Sequence, residues 1–322
     1  MDFAGAPQPD WIAVALFPFQ RAGVAFLRSL KAAMLCDEMG LGKTLQAIAW
    51  AAAEPEAVEE RAQSHAAEPG RCKVCGRLLV TKDAVAVGMG PICAKRAGKG
   101  FADHAGAERY CGTVVVCPAS VKYFWEREIK RACPAARVAV VNGKVGVPAA
   151  GGAEWVVINY DLLGRNLEML RDFGANNLIL DESHYVKNQQ AQRTKAALAL
   201  AAETPRRLMV TGTPLLNRPV ELWTQLLAAG LKREKEFFFW AKRFCGAQQV
   251  YCGRSVGYRW DFSGASNLSE LHESLKPFTL RRQKRDVLPE LPEIVYSAEP
   301  VALENGTAAE YRRAQNDFRV WY

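Results

Sequence analysis

Asp37-Glu38-Met39-Gly40-Leu41-Gly42-Lys43-Thr44 sets two glycines, a lysine and a hydroxyl residue side by side. That combination suits phosphate. Glycines let backbone N–H groups approach the oxygens, and a helix starting just beyond adds a favourable dipole. Lys43 would reach the β- and γ-phosphates of a nucleotide, and the Thr44 hydroxyl would hold Mg²⁺. The general phosphate-loop pattern G-x-x-x-x-G-K-[ST] begins with glycine, where this chain has Asp37. A second group, Asp181-Glu182-Ser183-His184, supplies two adjacent carboxylates. An Asp at a strand tip can hold Mg²⁺ through water, and the Glu beside it can act as general base on an attacking water. Adjacent carboxylates also occur in plain solvated turns. The upstream glycine loop gives these two their meaning, because phosphoryl transfer needs both parts. Thr211-Gly212-Thr213-Pro214 adds small hydroxyl residues that can bond to the Asp–Glu element.

The elements that must position these groups are legible as an alternation. Continuous apolar runs at 32–36, 113–117, 137–141, 155–158, 177–180 and 207–210 read as strands. Helical patterns at 45–53, 121–131, 161–171, 191–202 and 219–229 lie between or after them. Such alternation predicts an α/β fold, a mostly parallel sheet with helices on both faces. Ligands in these sheets bind beyond the carboxyl ends of the strands, where each group above begins. Trp125, within a helical pattern, reads as a core aromatic.

The chain has 322 residues, 49% of them hydrophobic, which is enough for a substantial core. No apolar run reaches a membrane-spanning length of about 18 residues, and residues 1–4 lack the layout of a secretory signal. These features predict a soluble intracellular protein, with bacterial cytoplasm, cellular or phage-encoded and nucleoid-associated, as the default. Net charge is +8, and part of the excess is local. Between residues 70 and 100, seven Lys/Arg face a single acid, Asp83. Such a cluster points to a polyanionic partner or to a solvated surface.

Residues 51–112 interrupt the alternation and contain Cys72-Lys73-Val74-Cys75-Gly76-Arg77, followed by Gly90-Pro91-Ile92-Cys93. A C-x-x-C pair on a tight turn is the usual half of a tetrahedral zinc site. Cys72, Cys75 and Cys93 give three ligands for Zn²⁺. His65, His104 and Cys111 are candidates for the fourth, with His104 favoured. The segment resembles small zinc-binding modules of CxxCGR…GxGPxC pattern, and its function is either DNA contact or protein docking. Cys36, Cys117 and Cys133 read as core thiols.

Asp37 to Thr44, Asp181 to His184 and Thr211 to Pro214 resemble motifs I, II and III of superfamily 2 helicases, and the first matches the DEMGLGKT form of Swi/Snf-like DNA translocases. Leu16-Phe17-Pro18-Phe19-Gln20 resembles the family's Q-motif region. Cys117-Pro118-Ala119-Ser120-Val121 with Trp125-Glu126 is similar to motif Ia, and Ile158-Asn159-Tyr160-Asp161 to its "YD" element. Residues 280–292, beginning Leu280-Arg281-Arg282-Gln283-Lys284, resemble its LRR-K-DV-LP block. Residues 258–268 with DESH look most like the HARP-type annealing-helicase branch.

The resemblance implies a first RecA-like lobe that binds ATP and Mg²⁺ through Gln20 (adenine), Asp37, Met39, Gly40, Leu41, Gly42, Lys43, Thr44 and Asp181, with Lys43, Asp181 and Glu182 catalytic. It implies DNA contact or coupling by Ser120, Lys122, Asn159, Tyr160, Thr211, Thr213, Arg281 and Arg282. The expected organisation is lobe 1 over 1–54 and 112–229, a zinc module over 55–111, and a helical subdomain with linker over 230–322. The implied activity is a DNA-dependent ATPase translocating on double-stranded or branched DNA without separating strands. A second lobe, carrying the family's arginine finger, is expected outside these residues, so this stretch alone should hydrolyse ATP poorly. A monomer and no membrane partner are expected. The alternatives are a non-motor ATP-binding module that docks to DNA and a strand-separating helicase.

Overall fold

The computed structural model describes residues 5–52, 112–143, 153–212, 218–253, 257–290 and 306–320, with Pro292 and Ser297. In chain order the strands are β1 (Ala32–Leu35), β2 (Thr113–Cys117), β3 (Val138–Val140), β4 (Trp155–Asn159), β5 (Asn177–Asp181) and β6 (Arg206–Val210), then the hairpin pair β7 (Gln248–Tyr251) and β8 (Tyr258–Asp261), and β9 (Thr279–Leu280). Seven of them form one parallel sheet in the order β3-β4-β2-β5-β6-β1-β9. The six apolar runs expected as strands are all there, within a residue or two.

The middles of these strands are apolar because both faces of the sheet are covered, and polar residues fall at their ends. Side chains alternate across a strand, so each strand feeds two cores. Val114, Val116, Ile158, Leu178 and Leu180 face one core, with the helices α4 (Leu167–Phe173), α5 (Gln192–Glu203) and α6 (Val220–Ala229). Val115, Cys117, Val157, Ile179 and Leu208 face the other, with α1 (Pro18–Arg28), α2 (Lys43–Ala52) and α3 (Lys122–Ala132). Cys36, Cys117 and Cys133 are buried thiols.

Two regions differ from expectation. Residues 161–171 form no continuous helix. Tyr160–Leu162 and Gly164–Asn166 make two 3₁₀ turns, and only Leu167–Phe173 is α-helical. Gly164 weakens a helix there, and the Asn166 side chain donates to the Leu162 carbonyl at 2.9 Å, competing for a backbone acceptor. The region after residue 230 is also less purely helical than expected. It holds α7 (Phe237–Phe244), the antiparallel β7–β8 hairpin and α8 (Leu268–Leu275). Trp240, Phe244 and Leu271 join the first core. The chain divides into two compact units, Met1–Val287 and Leu288–Tyr322. Within the second, α10 spans Gly306–Val320, and the short α9 (Lys284–Val287) ends the first.

The end of α2 is tied down by a buried polar group. Asn177 donates to the Ala51 carbonyl and to Thr113 Oγ1, both at 3.1 Å. Arg206 donates to Asn177 Oδ1 at 3.2 Å and lies over the Trp50 ring at 4.5 Å. A cation and an amide thus meet the open carbonyl end of the helix, where both are favourable.

At the other end of the sheet, the chain returns to the phosphate loop. β9 pairs with β1 through Met34↔Thr279 and Leu35↔Leu280. The pairing continues beyond the strands: Cys36 N–H donates to the Leu280 carbonyl at 2.7 Å and Glu38 N–H to the Arg282 carbonyl at 2.9 Å. Between them, fully buried Asp37 is clasped by Arg282. Oδ1 accepts from the Arg282 backbone N–H (3.0 Å) and Nε (3.1 Å), and Oδ2 from Nη2 (2.5 Å) and from Gln46 Nε2 (3.1 Å). The guanidinium also donates to Gln46 Oε1 at 2.7 Å and to the Phe19 carbonyl, and lies over the Phe19 ring.

Breaking a buried pair on one side strands a charge. Arg282→Ala should therefore destabilise the chain by about 3–5 kcal/mol, measured as a lowered denaturant midpoint. Adding Asp37→Asn to that background should recover part of the loss, because the stranded charge is gone. An unchanged midpoint in Arg282→Ala would rule out the clasp as a structural tie.

Candidate nucleotide site

The phosphate loop runs from the tip of β1 into the first residue of α2. Gly40 and Gly42 have φ of +87° and +69°, backbone that favours glycine. At Gly42 a Cβ would also run into the Gln20 side chain. Gln20 is buried beneath the loop, its Nε2 donating to the Leu41 carbonyl at 3.2 Å and its Oε1 accepting from Phe17 N–H at 3.0 Å. Lys43 Nζ donates to the carbonyls of Asp37 (2.9 Å) and Glu38 (3.3 Å). Its amine is thus held over the loop, beside the N–H groups that a helix start leaves without intrahelical acceptors. Thr44 follows in the same first turn.

β5 ends on Asp181, two strands from β1. The Trp125 indole N–H donates to Asp181 Oδ2 at 2.7 Å, and the Tyr160 hydroxyl donates to the Asp181 carbonyl at 2.7 Å. Burial pushes the Asp181 carboxyl up from its ordinary 3.8 to about 6. The Trp125 bond pulls it down, the Glu182 charge adds to the rise, and the Lys43 charge lowers it. Lys43 and Asp181 therefore feel one another across the site. Glu182 sits at φ 47°, ψ 54°, a left-handed conformation rare for non-glycine residues and concentrated at functional sites. His184 Nδ1 lies 3.3 Å from Glu182 Oε2 and 3.4 Å from Thr211 Oγ1. A Cβ on Gly212 would come within 3.4 Å of Lys43 Nζ and 3.1 Å of Met39 Cγ. The third motif thus closes against the first. A phosphate cradle, a desolvated carboxylate and a strained glutamate converge at the carboxyl edge of the sheet, and such a set fits a nucleotide triphosphate with its metal.

A sequence profile of the SNF2-related domain matches residues 19–320. The chain belongs to this family. Among SNF2-related relatives, it is 32% identical over 97% of its length to the mouse DNA annealing helicase and endonuclease ZRANB3, covering 25% of that protein. It is 32% identical over 86% of its length to the Xenopus laevis SWI/SNF-related matrix-associated actin-dependent regulator of chromatin subfamily A-like protein 1, covering 23% of it. The chain thus spans about a quarter of the length of these relatives. Among solved structures, the Sulfolobus solfataricus SWI2/SNF2 ATPase core in complex with dsDNA superposes with a TM-score of 0.58. The two share 22% identity over 89% of this chain and 49% of that one. At that identity the likeness is one of fold: the sheet is that of the RecA-like SNF2 core. Membership in an ATPase family implies ATP and Mg²⁺ as ligands of the site.

The structure redistributes the residues expected to touch DNA. Ser120 and Arg281 are exposed. Lys122 is buried, its amine donating to the Val141 carbonyl (2.9 Å) and Asn142 Oδ1 (2.8 Å). Asn159, Tyr160 and Thr211 are buried as well, and Arg282 is spent on Asp37. Asp37 likewise faces the clasp, not the phosphate cradle. Thr213 lies outside the described residues, as do Cys72, Cys75, Cys93 and His104. Among the described residues no cluster of His, Cys, Asp or Glu is built to hold a metal, and no helix is long and apolar enough to cross a membrane.

Trp125 and Gln46 are functional neighbours to which the sequence reading gave no role at the site, and Lys284 was read only within the LRR-K-DV-LP block. Trp125 holds a carboxylate oxygen of Asp181. Gln46 braces Asp37. Lys284 reaches the loop, lying where a Cβ on Gly40 would meet its side chain. Only Trp125 left a signal: a buried indole N–H needs an acceptor.

The raised Asp181 carboxyl has a consequence for pH. The folded chain binds that proton more tightly than the unfolded chain, so the ionised carboxylate lowers stability as pH rises from about 4 through about 6. Above that range the cost is complete. Asp181→Asn should therefore raise nucleotide-free stability at pH 7.5 by about 3 kcal/mol. The gain should shrink toward zero as pH falls to about 4. Chemical denaturation at both pH values measures it, and a gain independent of pH would refute the desolvated carboxylate.

Proposed function

We propose that this chain is the nucleotide-binding lobe of an ATP-driven motor that translocates on duplex DNA and acts on branched or forked substrates. The observation that carries the reading is the convergence of Lys43, Asp181, strained Glu182 and the Gly212 turn at one sheet edge. The annealing-helicase relatives support the choice of substrate. Lys43 and the first amides of α2 would hold the phosphates. Asp181, with one oxygen fixed by Trp125, would hold Mg²⁺, which neutralises phosphate charge when bound. Glu182 would take the proton of the attacking water, with His184 setting its position. We infer that a second RecA-like lobe completes the site and supplies the arginine that stabilises developing phosphate charge, a contribution worth roughly 10³–10⁵ in turnover. The much greater length of the relatives supports this.

ATP hydrolysis by the full reading frame, without DNA and with single strands, blunt duplex and forked duplex, tests the motor. Duplex and fork should stimulate it strongly, and Glu182→Gln should abolish the stimulated rate while nucleotide binding persists. A rate indifferent to every DNA overturns the reading and leaves a nucleotide-binding module.

Cys72, Cys75 and Cys93, with His104, are proposed as a zinc site on their spacing alone. Elemental analysis should find one zinc per chain, lost in the Cys72→Ser/Cys75→Ser double variant. A purified chain without zinc would discard the module.

A further inference from the structure

The β7–β8 hairpin packs little of itself. All eight of its strand residues are exposed. Its register pairs Gln249 with Trp260 and Tyr251 with Tyr258. Alternation then puts Tyr251, Tyr258 and Trp260 on one face, yet these rings are 55%, 70% and 36% exposed. Only its base is supported. Phe238 of α7 meets Trp260 edge-on at 5.5 Å, and Phe262 stacks beside it at 6.3 Å. Phe239, 79% exposed, extends the apolar surface. A contiguous exposed aromatic surface of this kind marks a binding site more often than an accident of folding.

The charges around the face say what it fits. Lys242 holds its amine 4.8 Å above the Trp260 ring, whereas Arg259, paired with Val250, lies on the opposite face of the ribbon. Neither cation is paired with a carboxylate among the described residues. The hairpin's one acid, Asp261, is occupied by Ser263, accepting from its N–H at 2.9 Å and its hydroxyl at 2.8 Å. Flat rings with a lysine amine beside them match unpaired nucleotides, which offer an open π face and a phosphate together. Residues two apart on a strand are set about 7 Å apart, and stacked bases repeat at about 3.4 Å, so one base fits between Tyr258 and Trp260. An intact duplex keeps its base faces stacked inside and offers these rings nothing.

We propose that the aromatic face of the β7–β8 hairpin, with Lys242, binds the unpaired bases of single-stranded DNA at a branch point. The proposal rests on the reading of the chain as a DNA motor and adds to it a site that distinguishes a fork from a plain duplex. The residues to which the family resemblance assigns duplex DNA lie outside the hairpin, so the two contacts are separable.

The test is fluorescence anisotropy with the full-length protein on an oligo-dT strand, a blunt duplex and a fork with two single-stranded arms. Tyr258→Ser/Trp260→Ser should weaken the oligonucleotide and fork by about tenfold or more, as expected from 1–3 kcal/mol per stacked base. Blunt-duplex affinity should not change. Trp260→Phe should keep most of the affinity. Lys242→Gln should lower the salt dependence of fork binding by about one phosphate contact, whereas the aromatic variant should leave it alone. These side chains are exposed, and unchanged thermal melting of each variant confirms the fold. Fork binding equal to the parent's in both the aromatic and the lysine variant, or equal losses on fork and blunt duplex, overturns the proposal. The first outcome would give the face to a protein surface. Duplex-stimulated ATPase in the parent and the aromatic variant keeps the two readings apart: its absence from both counts against the motor, and its presence in both, with fork affinity intact, counts against the hairpin alone.

Discussion

The buried pair between Asp37 and Arg282 holds four distant parts of the chain at one point. Asp37 belongs to the phosphate loop, Gln46 to α2, Phe19 to α1 and Arg282 to the segment after β9, and all four are linked by the bonds of one guanidinium. A buried ion pair adds little net stability, because desolvation offsets its attraction, but removing one partner is costly. Its effect here is positional: the loop sits in one register against the returning strand because any slip would unpair a charge away from water. The departure from the general phosphate-loop pattern is thereby explained. A glycine at position 37 would leave Arg282 without its carboxylate.

With the loop fixed, the rest of the site follows from sheet topology. Parallel strands present all their carboxyl ends to one edge, and helices on both faces keep that edge the open one. Asp181 emerges there from a strand whose preceding residues are fully buried, which desolvates its carboxyl. Glu182 must then turn sharply away from the strand axis, and its left-handed backbone accomplishes this at the cost of strain.

Much of this was readable in the residues themselves. Valine-rich runs such as Val114-Val115-Val116 permit little besides buried parallel strands, and a glycine loop before a helix has few other uses. The misses share a cause: a motif names a position but not the direction of its side chain. Lys122 and Tyr160 fall at strand ends, where DNA contacts are expected, yet their polar atoms point inward to carbonyls. Asp37 sits in the loop yet faces away from the cradle, because its partner lies 245 residues downstream. The hairpin was missed because Gly-rich sequence with scattered aromatics carries no clear period, and because its rings are exposed where periodicity arguments assume burial.

The inward side chains have a collective effect. Trp125 comes from the helix after β2, Tyr160 from the tip of β4, and both end on Asp181 with bonds of 2.7 Å. Thr211, past the tip of β6, and Glu182, past β5, meet at the His184 ring. Lys122 ties the start of α3 to the end of the β3 segment. The loops following β2, β4, β5 and β6 are therefore one bonded body with Asp181 as its hub. A change in charge at the Asp181 carboxylate acts directly on the Trp125 bond, while Tyr160 holds the backbone carbonyl of the same residue. Those two residues belong to the same segments as Ser120 and Asn159, where the family resemblance puts the grip on DNA. Residues that look like separate motif ligands are bonded to one another around the tip of β5.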